Sequence, residues 1–170
     1  ALLACSRLGL RCAYLGAVGS DAAARVVLEP LGDAGIDLSG VQPVEGAATR
    51  SAQILVRASD GERSVLERRD PRLRLDTGRL DRRVIEQSSL LHLDVSDPAA
   101  STWAAAEAQA AGIPVVLDAD RVVEGTEALL SHVDFPVVSE DFARAWGGND
   151  SANDGLSRLA EGKPRLAVVT

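Results

Sequence analysis

The chain has 170 residues, 46% of them hydrophobic, enough for one domain with a sizeable core and too many for a disordered chain. Its 18 basic against 25 acidic residues give a net charge of −7, which argues against a nucleic-acid-binding face, because phosphate binding needs clustered Lys and Arg. No apolar run reaches the ~18 residues that span a bilayer and no basic-then-apolar leader opens the chain, so a cytoplasmic protein is expected.

The chain begins without Met, directly inside an apolar, helix-like pattern, and closes on the apolar strand 166–169; both ends read as cut. Cys5 and Cys12 form no CxxC pair and no ligand cluster with His92 or His132, so they read as reduced, buried thiols and the histidines as structural. Residues 13–15 predict a first strand, followed by Leu15-Gly16-Ala17-Val18-Gly19-Ser20-Asp21 at the start of a helix. Backbone amides at such a turn can cradle an anion, yet the spacing is neither GxGxxG nor a P-loop, and a plain strand-to-helix turn reads as well. Pro30 predicts a kink or a split in the helix over 22–34.

Residues 51–57 and 63–69 are two strand-length stretches joined through Asp60-Gly61, which predicts an antiparallel hairpin lying outside any parallel sheet, as a flap able to exclude water from a site. Residues 70–81, rich in Arg, Asp and Leu, read as a solvated connection. Four continuous apolar runs follow, at 90–93, 115–117, 135–138 and 166–169, the pattern of strands buried on both faces of a parallel sheet. Helical patterns alternate with them. Asp97 and Pro98 start the one over 99–111, which ends at Gly112; shorter ones cover 124–132 and 141–146; the last, 151–161, closes at Gly162. This rhythm predicts an α/β fold with a doubly wound, mostly parallel sheet flanked by helices, in one incomplete domain over 1–170 with the hairpin lid at about 46–70 inserted in it.

Several segments in order resemble the ribokinase (PfkB-type) carbohydrate kinases. Arg7-Leu8-Gly9, Gly16 to Asp21, and Leu31 with Gly35-Ile36-Asp37 match an N-terminal "RLG … G.VG.D … L...GVD" series. Thr49 and the hairpin with Asp60-Gly61-Glu62-Arg63 match the lid strands, and His92-Leu93-Asp94 falls where members carry an acidic sugar contact. Gly112 to Asp118 matches a "G.PV..D" strand, and Val133-Asp134 with Ser139-Glu140 sits where an "Asn-Glu-x-Glu" motif normally follows a strand. Ser139 replaces Asn and Phe142 replaces the second Glu, a departure that leans towards ketohexokinase-like members at the first position and takes away a carboxylate that helps organise Mg²⁺ at the second.

The resemblance implies transfer of the γ-phosphoryl group of ATP to a sugar hydroxyl, with Mg²⁺. The catalytic Asp of such kinases belongs to a "GAGD" segment that this sequence does not contain, so no residue here is assigned as base and the isolated chain is expected to be inactive. Asp94 and Gln53 are the implied substrate contacts. Arg63, Asp118, Ser139 and Glu140 mark the phosphate and nucleotide region, and no metal ligand is assigned. The bland alternatives are helix capping for Asp94 and Ser139, solvation for the flap residues Gln53 and Arg63, and helix initiation for Asp118. The implied partners are a sugar or related small molecule and a second copy of the chain joined through the lid strands. A non-catalytic sugar-binding or dimerising module is the other reading; a dinucleotide-binding domain lacks its glycine fingerprint and has no place for the flap.

Overall fold

The computed structural model describes residues 1–148 and 151–170, and the chain divides into two compact units, Ala1–Asp76 and Thr77–Thr170. In the first unit a short helix α1 (Leu2–Arg7) precedes strand β1 (Gly16–Gly19), helix α2 (Ala22–Asp33) and strand β2 (Val41–Val44). β1 and β2 pair in parallel, Gly16 opposite Val41 and Gly19 opposite Val44, so β1-α2-β2 is a crossover unit. The predicted strand at 13–15 begins later than expected: Ala13 makes only an isolated bridge to Asp37. β2 went unread because Pro43 and the buried Gln42 disguise it; Pro43 lies exposed in a two-stranded sheet, where its missing N–H costs no ladder bond.

α2 is a single helix running through Pro30, against the expected split. Proline removes only its own bond to the Val26 carbonyl, and Val26 is exposed, so water can take that carbonyl. Asp21 starts the helix, its side chain accepting from the Ala24 amide at 3.1 Å.

Strands β3 (Ser51–Val56) and β4 (Arg63–Arg68) form the antiparallel flap, with Ser51 opposite Arg68 and Val56 opposite Arg63. Gly61 takes φ +77° in the connecting turn, the left-handed conformation that made Asp60-Gly61 a turn signal. The stretch after the flap is not merely a solvated connection. Leu73 is buried, and the Gln42 side-chain amide pairs with both backbone groups of Asp76, donating to its carbonyl at 2.9 Å and accepting from its amide at 2.8 Å.

In the second unit a 3-10 turn (Thr77–Arg79) and helix α3 (Arg83–Glu86) lead to strand β5 (Leu91–Asp94), helix α4 (Pro98–Ala110), strand β6 (Val115–Ala119), helix α5 (Thr126–Leu130), strand β7 (Phe135–Val138), helices α6 (Glu140–Gly147) and α7 (Ala152–Glu161), and strand β8 (Val168–Val169). The four strands lie side by side in chain order, all parallel. Leu93, Val115, Leu117, Ala119 and Val138 bury one face of the sheet with Ala105, Ala108, Leu129 and Phe142. The other face, carrying His92, Asp94, Val116, Asp118 and Val137, remains half-buried or exposed. The continuous apolar runs predicted burial on both faces; here they are buried on one.

Candidate functional site

In open parallel sheets ligands bind outside the carboxyl ends of the strands. In the second unit Asp94 ends β5, Asp118 lies next to the end of β6, and the two are register partners across the β5–β6 pair. Register partners point to the same face, and adjacent strands run about 4.8 Å apart, so these two exposed carboxylates stand side by side. The helix-capping alternative for Asp94 is taken by Asp97, whose side chain accepts from Ala100 at 3.4 Å. One Asp94 oxygen instead accepts from the Ser96 amide at 2.7 Å, while Ser101 Oγ fastens the Asp94 carbonyl to α4 at 2.9 Å. The Asp118 carboxylate forms no hydrogen bond or ion pair among the described residues. Paired carboxylates of this kind are acceptors for hydroxyl hydrogens.

Ser139 is a structural cap. Its Oγ accepts from the Phe142 amide at 3.1 Å to start α6 and donates to the Asp120 carbonyl at 2.9 Å, tying the end of β6 to the end of β7. Glu140 is exposed and pairs with Arg144 one turn on, at 2.7 Å. Phe142 occupies the position where a second carboxylate was looked for, and it is fully buried and stacked on Trp146 with ring centroids 6.2 Å apart. In this helix register position 142 faces the core, so it belongs to packing. Among the described residues no group of three His, Cys, Asp or Glu could hold a metal ion. A depression of about 690 Å³ in this unit, lined by Val122, Val123, Thr126 and Trp146 among others, includes none of the predicted site residues.

In the first unit the turn at 16–21 is closed to an anion. The Gly19 amide donates to Thr49 Oγ1 at 3.0 Å, and the Asp21 carboxylate itself occupies the start of α2. Thr49 holds that carboxylate twice, through its amide at 3.0 Å and its hydroxyl at 2.6 Å, and these bonds keep Asp21 below the usual carboxylate range. The flap residues do not converge. Gln53 lies opposite Leu66 and Arg63 opposite Val56; positions 53 and 66 share one face, 56 and 63 the other, so Gln53 and Arg63 leave the flap from opposite sides.

Sequence reasoning missed Asp70. It is half-buried at the flap's return, where it accepts from the Ala48 amide at 3.1 Å and from Arg72 Nε at 2.9 Å and Nη2 at 2.7 Å. The guanidinium, followed by the backbone amides of Arg72 and Ala48, holds its carboxyl far below the ordinary range. The local signal was Asp70-Pro71-Arg72, an Asx-turn start, but the partner at Ala48 is 22 residues away.

Among curated proteins none matches the chain. Among solved structures, a candidate ribokinase from Agrobacterium tumefaciens superposes with a TM-score of 0.88 at 30% identity, covering 99% of this chain and 56% of that one. Ribokinase from Arabidopsis thaliana, complexed with ribose and ATP, gives 0.79 at 19% identity over 99% of this chain and 57% of that one. Fructokinase from Xylella fastidiosa with bound ATP gives 0.80 at 23% identity over 99% and 59%. The chain thus spans less than two thirds of these structures, and it shares their fold. No helix among the described residues is long and apolar enough to cross a membrane. A family model described as pfkB family carbohydrate kinase matches residues 1–170 from end to end, and the chain belongs to that family.

Proposed function

We propose that the chain is part of an ATP-dependent sugar kinase that transfers the γ-phosphoryl group of ATP to a sugar hydroxyl in the cytoplasm. The observation that carries this reading is the pair of exposed carboxylates Asp94 and Asp118 at the carboxyl edge of a parallel sheet, in a carbohydrate-kinase chain. Asp94 keeps one oxygen outside its turn bond, suited to accept a sugar hydroxyl hydrogen. Gln53 offers both a donor and an acceptor from one flap face, and it is the second substrate contact. The ribose and ATP bound to the Arabidopsis relative support the ligand classes.

Asp118, Glu140 and Ser139 mark the nucleotide side in this reading, with Ser139 acting through the start of α6 rather than by direct contact, and Arg63 is the flap's cationic candidate. Mg²⁺ enters this reading as the counter-ion of ATP; among the described residues no group of three His, Cys, Asp or Glu could hold a metal ion. No residue of this chain is assigned as the catalytic base in this reading. The test is Asp94→Asn in the product of the whole reading frame that contains the segment. Losing a charged acceptor raises the sugar KM about tenfold or more and leaves the ATP KM unchanged; an unchanged sugar KM removes Asp94 from the site.

One observation favours a second role, association of two copies through the flap. On the face shared by Ala52, Ile54, Val56, Arg63, Val65 and Glu67 the three large aliphatic residues are each more than half exposed. In a non-catalytic module that role would stand alone. Light scattering of the chain decides it: a strictly monomeric species argues against the flap as an interface.

A further inference from the structure

The flap has no packing to hold it. Every residue from 50 to 69 is exposed, including Ile54, Leu55, Val56, Val65 and Leu66, so neither face of β3–β4 rests on a core. A two-stranded hairpin without a covered face is at best marginal and takes its pose from its attachment. That attachment is unlike the flap itself. Ala47, Thr49 and Leu73 are buried, and the root is tied by hydrogen bonds from β1, α2 and the returning strand's end.

On the incoming side Gly46 is held from two directions, its amide donating to Ser20 Oγ at 3.0 Å and its carbonyl accepting from Arg72 Nη2 at 2.5 Å. The next two amides each donate to a carboxylate: Ala48 to Asp70 on the returning side, Thr49 to Asp21 at the start of α2. The Thr49 hydroxyl completes a chain from the Gly19 amide, which it accepts, to Asp21, to which it donates. β1, α2 and both ends of the flap thus meet at two carboxylates, each held by charge-assisted bonds. Gly19 permits the approach, because a Cβ there would sit 2.4 Å from the Ala47 carbonyl oxygen and 2.5 Å from the Thr49 nitrogen.

We propose that Asp21 with Thr49, and Asp70 with Arg72, are positioning residues that form a two-point latch setting the pose of the flap. The latch is polar and local, so opening it frees the flap to swing as one body while β1, α2 and β2 stay folded. The inference concerns the first unit alone and stands whether or not the kinase reading does.

The test uses the intact chain with Cys5→Ser and Cys12→Ser, nitroxide labels at Ser59→Cys on the flap tip and Asp33→Cys at the end of α2, and pulsed-EPR distance distributions. The unsubstituted root gives a narrow distribution. Thr49→Val, which keeps the shape and deletes the hydroxyl, broadens it and speeds amide exchange at Gly19 and Thr49 about tenfold or more; Thr49→Ser restores both. Arg72→Gln, at an exposed position that folding tolerates, broadens it as well. Distributions as narrow as the parent's in both Thr49→Val and Arg72→Gln overturn the latch. If Thr49→Val does not fold, Arg72→Gln alone decides: broadening supports the latch and an unchanged width refutes it.

Discussion

Gly155 in α7 touches the backbone of α6 so closely that its replacement tests the packing of these two helices. A Cβ at Gly155 would lie 1.9 Å from the Ala143 carbonyl oxygen, 2.5 Å from its carbon and 2.8 Å from its Cα, where real Cβ atoms essentially never come within 3.0 Å. The atoms met are backbone and cannot rotate away, so the helices must part by about 1.1 Å to reach that 3.0 Å limit. A gap of that size forfeits a quarter to a half of the dispersion attraction across the contact, and the buried side chains beside it are Phe142, Ala143 and Leu159. Overpacking of this kind costs about 1–3 kcal/mol, against a gain of ~0.5–1 kcal/mol from replacing glycine inside a helix. The clash wins, and Gly155→Ala lowers stability by about 1–2 kcal/mol, or ~4–16 °C in the melting temperature of a unit this size. Urea unfolding followed by tryptophan fluorescence isolates the effect, because Trp103 and Trp146 both lie in the second unit. Gly32→Ala in α2 is the control. Its Cβ meets only Leu38 Cδ1, at 3.7 Å, so it stabilises the first unit by ~0.5–1 kcal/mol in far-UV circular dichroism. A Gly155→Ala chain as stable as the parent refutes the reasoning.

Three further outcomes follow from the same physics. Phe142→Glu, which writes the family's second carboxylate back, buries an unpaired charge; it lowers stability by at least about 3 kcal/mol and creates no Mg²⁺ affinity, measured by denaturation and calorimetry. Asp21, Asp70 and Asp81 have folded-state pKa values below their unfolded ones, so their stabilisation is full above about pH 4 and is lost as the pH falls through the folded values. Unfolding midpoints from pH 7 to 2 check this, and Asp70→Asn flattens part of the acid slope. Ile54→Lys on that flap face abolishes any self-association seen by light scattering and leaves the unfolding midpoint nearly unchanged, since Ile54 is 58% exposed.

What the sequence revealed divides by range. Asp60-Gly61 between two strand-length runs is a local signal, and the hairpin formed where it was read. Asp97-Pro98 and Ser139 are local caps, and both start helices. β2 was hidden because its residues, Val41-Gln42-Pro43-Val44, carry a polar core residue whose partners lie at Asp76, 34 positions on. Asp70 and Thr49 were illegible as a latch for the same reason, their meaning lying in contacts made across the chain. Phe142 was legible in principle: with Ser139 as cap, Phe142, Ala143 and Trp146 recur at helical spacing and mark the inward face. That stripe outweighed a motif position. Gln53 and Arg63 were each plausible alone, and only the strand register separates them onto opposite faces.

The most direct test of the sugar-kinase account is ADP release, coupled to NADH oxidation, from the product of the whole reading frame that contains this segment, across a panel of ketoses, aldoses, phosphosugars and nucleosides. The account predicts ATP consumption that depends on at least one of these substrates. A folded full-length protein that turns over ATP with no member of the panel contradicts it.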